Sequence, residues 1–532
     1  MELGFQSGRR AHIVPNRADT QPPPASPFAP LKAIGAGPTP AMSTHPIPLL
    51  MEEAEDKYRK KLASQSRSLS AAVAEYRRRY RRPPPRGFDA WWKFCQTYDV
   101  KMVDEYDGLM EDLRPFFDLS GEEFRRRAQQ AGMLPSVDLV RVRGGVAEVV
   151  NVNPQFRDSE VSARARGLRS MMGKFLKTLP DMDLPVNAKA EGRVLVPWEH
   201  RVYPNMTKTD SSDGVESMLG GPFKPDWSED GNVWEAWRRT CTPQSAARRL
   251  HASLRPLFAG RPKNYFKAGQ IQGSGAYGDD FTFAKTTSAS LDFCEVPHAH
   301  YTQGHFFSDW RSIPVLYPIL SPAKAKGFMD IRIPSHYYYG STKRYTYGWD
   351  PVNLELKEVD PMEVPWEEKK DKIFWRGATT GGGSHPPGFA PMYQRHRFLR
   401  MASDAAADTT LVVYPVPGSN GFSTTEVPVG ELNEEVMDAA FVKAVSAASY
   451  PGGLKALMAA HRFGDSVPLG WHWRYKYLID LDGMSYSGRF MSFLASDSVP
   501  IKSTVYEEFF TDWIQPWYAT IAGSKISEID IP

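Results

Sequence analysis

The stretch YKYLIDLDGMSYSGRF, from Tyr475 to Phe490, has the pattern of a buried strand that runs into a turn and then into a helix. Its apolar run ends at Asp480 and Asp482, a turn rich in glycine and serine follows, and Arg489 opens the helical run. Ligands of open α/β sheets bind outside the carboxyl ends of the strands, where free N–H groups and the helix dipole favour phosphate. The stretch therefore predicts an α/β fold in which Arg489 faces a diphosphate.

A second stretch, DKIFWRGATTGGGS at residues 371–384, has the same organisation. A strand runs into Arg376 and Gly377, and a loop rich in glycine and hydroxyl groups follows. Glycine allows close approach of the backbone to phosphate, although no Lys-Ser or Lys-Thr follows the glycines as in a Walker A loop. The hydroxyl side chains that could donate hydrogen bonds are Thr379, Thr380 and Ser384. A purely structural turn with an exposed arginine remains the alternative for both stretches.

Further short apolar runs alternate with helical patterns along the chain, at residues 193–199, 315–320 and 410–416. This alternation predicts α/β lobes with largely parallel sheets. The segment VRVRGGVAEVV predicts a strand pair around a Gly-Gly turn.

Residues 1–50 are rich in proline, glycine, alanine and serine, which indicates a disordered leader. A chain of 532 residues exceeds one core, so we expect two lobes, at 51–350 and 351–532, with a cleft between them.

The balance of charge and the cysteine count exclude several classes of protein. A formal charge of +3 makes nucleic acid an unexpected partner. Cys95, Cys241 and Cys294 have no CxxC spacing, so they permit one disulfide at most and no thiolate metal knuckle. Apolar runs of about 18 residues and a signal-peptide core are missing from the sequence, so we expect a soluble chain without a transmembrane segment.

The basic run YRRRYRR at residues 76–82 ends a predicted helix, because Pro83, Pro84 and Pro85 follow it. A solvated helix face is the favoured interpretation, and contact with phosphate or anionic lipid is the alternative.

Three histidines, His298, His300 and His305, lie close together with Asp292 and Glu295. Alternate residues of a strand share one side, so this cluster could bind zinc. A second interpretation is that His298 and His305 are polar residues that line a substrate cleft. A third is that the histidines have plain structural roles.

Many blocks occur in one order and together resemble glycosyltransferase family 90, the family of fungal capsule-associated proteins and animal protein O-glucosyltransferases. The two signature blocks are Trp375-Arg376-Gly377 after a strand and the segment from Lys476 to Phe490. The other blocks are PPPRGFDAWWKF at 83–94, DLRPFF at 112–117, LPDMDLPVN at 179–187, RVLVPWE at 193–199, DIRIPSHYYYG at 330–340, SDSVP at 496–500, EEFF at 507–510 and QPW at 515–517.

The resemblance implies a GT-B-like arrangement of two Rossmann-like lobes and transfer of xylose or glucose from a UDP-sugar with inversion. Xylose is favoured because the resemblance is closer to the capsule-associated branch. The N-terminal lobe would bind a glycan or glycoprotein acceptor, lined by His298 and His305, and the C-terminal lobe the donor. The implied donor-binding residues are Arg376, Gly377, Thr379, Asp482, Ser487 and Arg489. Cations at the departing diphosphate lower the barrier, so no metal or other cofactor is expected.

Inversion also needs a general base, which in the family is an aspartate shortly after the LPDM-type segment. Ala190 stands at that position here, and Glu191 is the nearest substitute. Glu191 is interpreted either as the base or as a surface residue in a salt bridge, and Asp183 is a further candidate base. A catalytically weakened nucleotide-sugar or glycan-binding homologue is therefore the second hypothesis, and a zinc hydrolase is the third.

Relatives are expected in the Golgi or endoplasmic reticulum lumen of the secretory pathway, and they usually carry a signal or anchor and continue past the QPWY segment. The chain shows neither feature, so we expect a shortened donor lobe.

Overall fold

A computed structural model of the chain describes residues 46–150, 161–202, 233–249, 292–307, 312–338, 345–350, 352–383, 388–416, 422–517 and 521–522. The predicted leader lies outside them apart from its last residues, where the first helix begins at Pro46. The protein is a mixed α/β structure with several sheets, as the alternating apolar runs predicted. Within the described part of the chain, no helix has the length and apolarity needed to cross a membrane.

The helices in the described residues are α1 (Pro46–Ala63), α2 (Leu69–Tyr80), α3 (Phe88–Thr97), α4 (Asp107–Leu113), α5 (Gly121–Ala131), α6 (Val161–Met172), α7 (Trp198–Val202), α8 (Val233–Arg238), α9 (Gln394–Ser403), α10 (Val429–Val436), α11 (Gly453–Ala460) and α12 (Phe490–Ala495). The strands are β1 (Val137–Arg143), β2 (Val146–Val150), β3 (Met182–Asn187), β4 (Leu320–Ser321), β5 (Ala323–Ala325), β6 (Ile331–Arg332), β7 (Trp349–Asp350), β8 (Glu355–Leu356), β9 (Lys370–Ala378), β10 (Thr409–Pro415), β11 (Phe422–Pro428), β12 (Met437–Lys443), β13 (Tyr475–Leu481), β14 (Val499–Ser503), β15 (Tyr506–Glu508) and β16 (Ile521–Ala522).

The C-terminal sheet is parallel, with its five strands in the order β12-β9-β13-β14-β16. When these strands are numbered 1 to 5 along the chain, beginning with β9, their order across the sheet is 2-1-3-4-5. This is the strand order of a doubly wound sheet. Both faces are covered, because Trp375 packs with Leu399 and Phe441 on one side while Phe374 packs with Trp473 on the other. The direction of building changes between β9 and β13, and we refer to the region outside the carboxyl ends of these two strands as the crevice.

The N-terminal sheet is mixed, in the order β2-β1-β3-β4-β6. Strands β3, β4 and β6 are parallel, whereas β1 pairs antiparallel with both β2 and β3. The expectation of largely parallel sheets is therefore wrong for this half. The reason for the β1–β2 pairing is the predicted Gly-Gly turn, because Gly144 and Gly145 have φ values of 53° and 78° and reverse the chain directly into an adjacent strand.

Two other predicted runs do not join either sheet as expected. The run at 410–416 forms β10, which pairs only with β11 in a separate antiparallel ribbon. The run at 193–199 contributes a single bridge between Val194 and Ile313. By contrast, α2 ends at Tyr80, just before the three prolines, as the basic run predicted.

Residues of the two sequence halves also pack against each other. Strand β5 pairs with β15, and the hydroxyl of Tyr338 donates to Glu508 at 2.6 Å. One apolar cluster contains Phe306 and Phe328 from the first half together with Tyr506 from the second. The sheets are thus joined through shared buried side chains.

Cys241 and Cys294 form a disulfide, with their Cα atoms 5.6 Å apart, and Cys95 is a buried free thiol. The disulfide connects the segment after α8 to the segment that contains His298 and His300.

Candidate functional site

The candidate site lies at the carboxyl ends of β9 and β13, where these strands end at Ala378 and Leu481. The two strands are neighbours, and the helices that follow them pack on opposite faces of the sheet, α9 in the cluster of Trp375 and α12 in the cluster of Phe374. Ligands of doubly wound sheets bind at this type of crevice, since the helices leave it on both sides. The two stretches that the sequence singled out therefore end at adjacent positions.

Arg489 lies at this crevice, one residue before α12. Its Nη1 donates to the backbone oxygen of Arg376, 2.7 Å away, which fastens the turn after β13 to β9. The guanidinium carbon is 5.9 Å from the ring centre of Trp375 and 5.7 Å from that of Phe493. Burial lowers the pKa of Arg489, and the charge of Asp480 opposes that shift. The group stays cationic at neutral pH, because an arginine starts far above it.

Arg395 is the second cation of the crevice, and the sequence analysis did not identify it. It lies at the start of α9, and its Nη1 donates to the backbone oxygen of Ala378 at 3.1 Å and to the hydroxyl of Thr380 at 2.6 Å. Its Nη2 reaches the backbone oxygen of Leu481 at 3.4 Å, so one guanidinium spans both strand ends. The side chain is buried, and its Nε has no hydrogen-bond partner among the described residues.

The two cations are close enough to affect each other. Burial, followed by the charge of Arg489, lowers the pKa of Arg395 to about 10. Both guanidinium groups lie over the ring of Trp375, that of Arg395 at 5.4 Å. Two cations held together away from water stabilise an anion placed between them. The signal for Arg395 was the basic string QRHR at 394–397 after the glycine-rich loop.

Arg376 is turned away from this pair. Its Nη2 contacts Asp438 Oδ1 at 2.6 Å, and its Nη1 donates to the backbone oxygen of the same residue at 2.8 Å. Asp438 also accepts from the hydroxyl of Tyr475. The Arg376 guanidinium thus pairs with a carboxylate at the start of β12, and only its backbone oxygen takes part in the crevice.

The glycine-rich loop of the second stretch packs against the backbone of residue 304. Gly304 and Gly382 form a parallel bridge, and a Cβ atom on Gly304 would lie 1.7 Å from the backbone oxygen of Gly381. A Cβ on Gly377 would lie 2.6 Å from the Trp375 ring. These glycines are therefore needed for close packing. Ser384 lies outside the described residues.

Thr379 also has a structural hydrogen-bond pattern. Its hydroxyl donates to the backbone oxygen of Val445 at 3.0 Å and accepts from the backbone nitrogen of Val445 at 2.7 Å. Both of its hydrogen-bonding functions connect the ends of β9 and β12. Thr380, which binds Arg395, lies closer to the cation pair.

Asp482 and Ser487 lie in the turn after β13. Asp482 is buried, its Oδ2 accepts from the backbone nitrogen of Val505 at 3.0 Å, and its Oδ1 has no hydrogen-bond partner among the described residues. Burial raises the pKa of Asp482 to about 7, so this carboxyl is partly protonated at neutral pH. The Ser487 backbone oxygen lies 2.7 Å from the Tyr338 hydroxyl oxygen, and the Ser487 hydroxyl lies 3.4 Å from the Arg489 nitrogen.

Glu191 lies just after β3, at the carboxyl edge of the N-terminal sheet. Its backbone oxygen accepts from Asn187 Nδ2 at 2.7 Å, which closes the loop between them. The residue is 6% exposed, so the interpretation as a surface residue is wrong. Burial raises the pKa of the carboxyl, although Arg164, Lys189 and Arg193 act against it.

The Glu191 carboxyl is near the other half of the chain. Burial raises the pKa of Tyr506 far above its usual value, and the charges of Asp482 and Glu191 raise it further. Tyr506, which follows the C-terminal sheet strand β14, thus lies within electrostatic reach of a carboxyl from each half.

Asp183 lies elsewhere, at the amino end of β3. It pairs with Arg141 and Arg143, each at 3.0 Å, across the strand pair. Burial raises its pKa, but these two arginines outweigh burial and keep the pKa below the usual range. Its contacts are those of an ion pair within the sheet.

The histidines are separated by their environments. His298 is exposed, whereas His300 is stacked on Trp234 with ring centres 3.9 Å apart. His305 is buried, and burial, followed by the charge of His300, lowers its pKa to about 3, so it is neutral. In the described residues, no group of three His, Cys, Asp or Glu side chains is arranged to hold a metal ion.

Neither a protein-family model nor a curated protein matches this chain. The resemblance of its ordered blocks to glycosyltransferase family 90 therefore stays a prediction.

Proposed function

We propose that the protein is an inverting glycosyltransferase that transfers xylose or glucose from a UDP-sugar to a hydroxyl of a glycan or glycoprotein. The observation that carries the proposal is the pair Arg395 and Arg489 at the switch point of a doubly wound parallel sheet. The ordered sequence blocks support the same assignment, and in this proposal the two sheets belong to the two lobes of a GT-B-like arrangement.

In the proposed reaction, the bond between the anomeric carbon and the β-phosphate oxygen breaks, and UDP leaves with the bonding electron pair. Arg395 and Arg489 stabilise the charge that develops on the diphosphate, a role for which fixed cations in a water-poor crevice are effective. Thr380 hydrogen-bonds to Arg395 and keeps its fork oriented towards the crevice. This scheme requires no metal or other cofactor.

The acceptor hydroxyl forms the new bond to the anomeric carbon from the opposite face, and its proton passes to a carboxylate. Glu191 is the proposed base, because it follows β3 at the carboxyl edge and burial raises its pKa. A raised pKa makes a carboxylate a stronger base at neutral pH. Asp183 is a weaker candidate since two arginines hold its pKa low.

The second candidate function is a nucleotide-sugar or glycan-binding homologue with weakened catalysis. Ala190 supports it, since this residue stands where the resembling family has its aspartate. This protein would bind UDP at the same arginine pair without turnover.

The proposed location is the lumen of the Golgi or endoplasmic reticulum. The Cys241–Cys294 disulfide supports it, because disulfides persist in oxidising compartments.

The donor site is tested by titrating the protein with UDP in a calorimeter. Arg489→Ala is expected to weaken UDP binding about 10-fold to 100-fold, the loss of one charge-assisted hydrogen bond. Arg462→Ala is the matched control, because this arginine is exposed and belongs to the same half of the chain. It lines a cavity at the amino ends of β9 and β12, whereas Arg489 lies at the carboxyl ends of the strands. An equal affinity in wild type and Arg489→Ala would overturn the donor-site assignment.

Release of UDP from a panel of UDP-sugars separates the two candidate functions. A transferase releases UDP from its own donor faster when an acceptor is present. A protein that binds UDP but releases none from any donor supports the binding homologue instead.

A further inference from the structure

A second charged surface lies at the end of α2, far along the chain from the candidate site. It consists of Arg77, Arg78, Arg81, Arg82 and Arg86, and we refer to it as the α2 basic surface. Four of these side chains are exposed, and Arg82 is half-buried. The backbone places Arg81 in the left-handed region at φ 55°, where its N–H caps the helix on the oxygen of Arg77.

The acidic residues near this helix compensate few of these charges. Glu75 pairs with Arg78 at 2.6 Å, and the neighbouring Arg79 pairs with Glu75, Glu105 and Asp107. In the described part of the chain, the remaining members of the α2 basic surface form no ion pair; they are Arg77, Arg81, Arg82 and Arg86. The surface therefore carries an excess of positive charge.

The preceding helix shows the contrasting pattern. In α1, Lys57 pairs with Glu53, and the other two pairs are Arg59–Glu55 and Lys60–Asp56, both at 2.6 Å. Three of the four basic residues of α1 are thus neutralised one turn away, and the fourth, Lys61, donates to the backbone oxygen of Asp512. This difference gives the protein a local basic surface although its formal charge is only +3.

An exposed aromatic ring lies beside the surface. Arg82 covers the ring of Phe117 at 3.5 Å, and Phe117 is 40% exposed. An aromatic ring next to basic side chains is typical of segments that lie at the headgroup level of a bilayer. Pro83, Pro84 and Pro85 lie between the helix end and Arg86 and fix the backbone that connects them.

We propose that the α2 basic surface docks the protein on an anionic lipid bilayer. Each basic residue near an anionic membrane surface strengthens binding about fivefold, so a cluster of this size supports reversible attachment. Nucleic acid fits less well, because single strands are held by rings on which bases stack. The tyrosines of this helix are already engaged, Tyr76 with Met110 and Tyr80 with Asp107.

The test is co-sedimentation of the full chain with vesicles of phosphatidylcholine alone or mixed with phosphatidylserine. We expect binding to the mixed vesicles only, with a loss of binding as salt is raised. The triple variant Arg77→Ser, Arg81→Ser and Arg86→Ser is expected to bind on the order of 100-fold more weakly.

The matched control is the triple variant Lys57→Ser, Arg59→Ser and Lys60→Ser, which changes the net charge by the same amount on α1. It is expected to bind like wild type. Equal losses in both triple variants, or wild-type binding that does not distinguish the two vesicles, would overturn the proposal. An oligonucleotide that competes fully with the vesicles at equal charge concentration would overturn the lipid assignment as well.

Thermal unfolding of each variant identifies any loss of binding that comes from misfolding. The salt dependence of binding by the wild type tests the surface without any substitution.

Discussion

Arg395 and Arg489 approach the carboxyl ends of β9 and β13 from two directions, Arg395 from α9 and Arg489 from the turn before α12. Arg395 contacts the backbone oxygens of both strand ends, and Arg489 contacts the backbone of β9. Backbone oxygens satisfy some of their N–H groups, and the Arg395 Nε is left without a partner in the described residues. The pair is thus held in place before any ligand arrives, which is the arrangement that stabilises a developing anion most effectively.

Replacement of Arg395 by lysine tests whether the fork of the guanidinium is required. Lysine keeps the charge but cannot contact both strand ends and Thr380 together, so UDP binding is expected to weaken about tenfold. Arg400→Lys is the control, since this arginine of the same helix also binds a backbone oxygen, that of Pro391. Calorimetry measures both affinities, and equal weakening in the two variants would indicate a general effect on α9.

Glu191→Gln is expected to abolish sugar transfer while UDP binding stays unchanged. Its stability has a pH signature as well. Burial raises the pKa of Glu191 in the folded protein above its value in the unfolded chain. Protonated Glu191 therefore contributes to the free energy of unfolding in full below the unfolded pKa. This contribution is lost as the pH rises through the folded pKa. The variant removes that loss and should unfold at a higher temperature than wild type at neutral pH.

The difference between Glu191→Gln and wild type should shrink as pH falls towards about 4.3, the ordinary pKa of a glutamate. Melting curves over this pH range measure it. Turnover that survives in Glu191→Gln would remove this residue from the role of base, whatever the melting curves show.

At the scale of elements, the loop after β9 is shaped by packing against the segment at residue 304. The glycines there allow two backbones to approach more closely than any side chain permits. The loop in turn supplies Thr380, which orients Arg395. Its packing and the cation pair are thus linked.

Gly304→Ala is expected to lower the free energy of unfolding by about 2 kcal/mol, because its Cβ atom would overlap a backbone oxygen that has no flexible side chain to move. UDP binding should weaken with it, as the loop shifts. Gly121→Ala at the start of α5 is the control, since its Cβ meets only the end of the Arg125 side chain. Denaturant titrations measure both changes, and equal stability of the two variants would contradict the packing argument.

At the scale of the whole molecule, the two halves share an apolar cluster, the ribbon of β5 and β15, and the bond from Tyr338 to Glu508. The disulfide holds the segment of His298 and His300 next to Trp234 and Trp237 in that cluster. Reduction is expected to act on this segment first.

The double variant Cys241→Ser and Cys294→Ser is expected to lose about 4 kcal/mol of stability, the chain-entropy value for a bridge that closes a loop of this length. The sequence separation of the two cysteines is 53. A reducing agent should lower the unfolding free energy of wild type by a similar amount and leave the double variant unchanged. If the agent affects both proteins equally, the effect does not come from this disulfide.

The sequence by itself determined the elements whose signals are local. The apolar run before Asp480, the prolines after α2 and the Gly-Gly turn each predicted an element that the structure contains, because strand period, ring geometry and backbone freedom act over a few residues. It also placed Arg489 at the start of the helix that follows the turn after β13.

Only the tertiary structure decided which groups meet. It paired Arg376 with Asp438, brought Arg395 to Arg489, buried Glu191 and joined Cys241 to Cys294. Spacing along the chain does not determine these contacts, since they depend on the lateral order of the strands and on the packing of helices across them. Burial then determined the charge state of each group, because the pKa depends on the surroundings that folding creates.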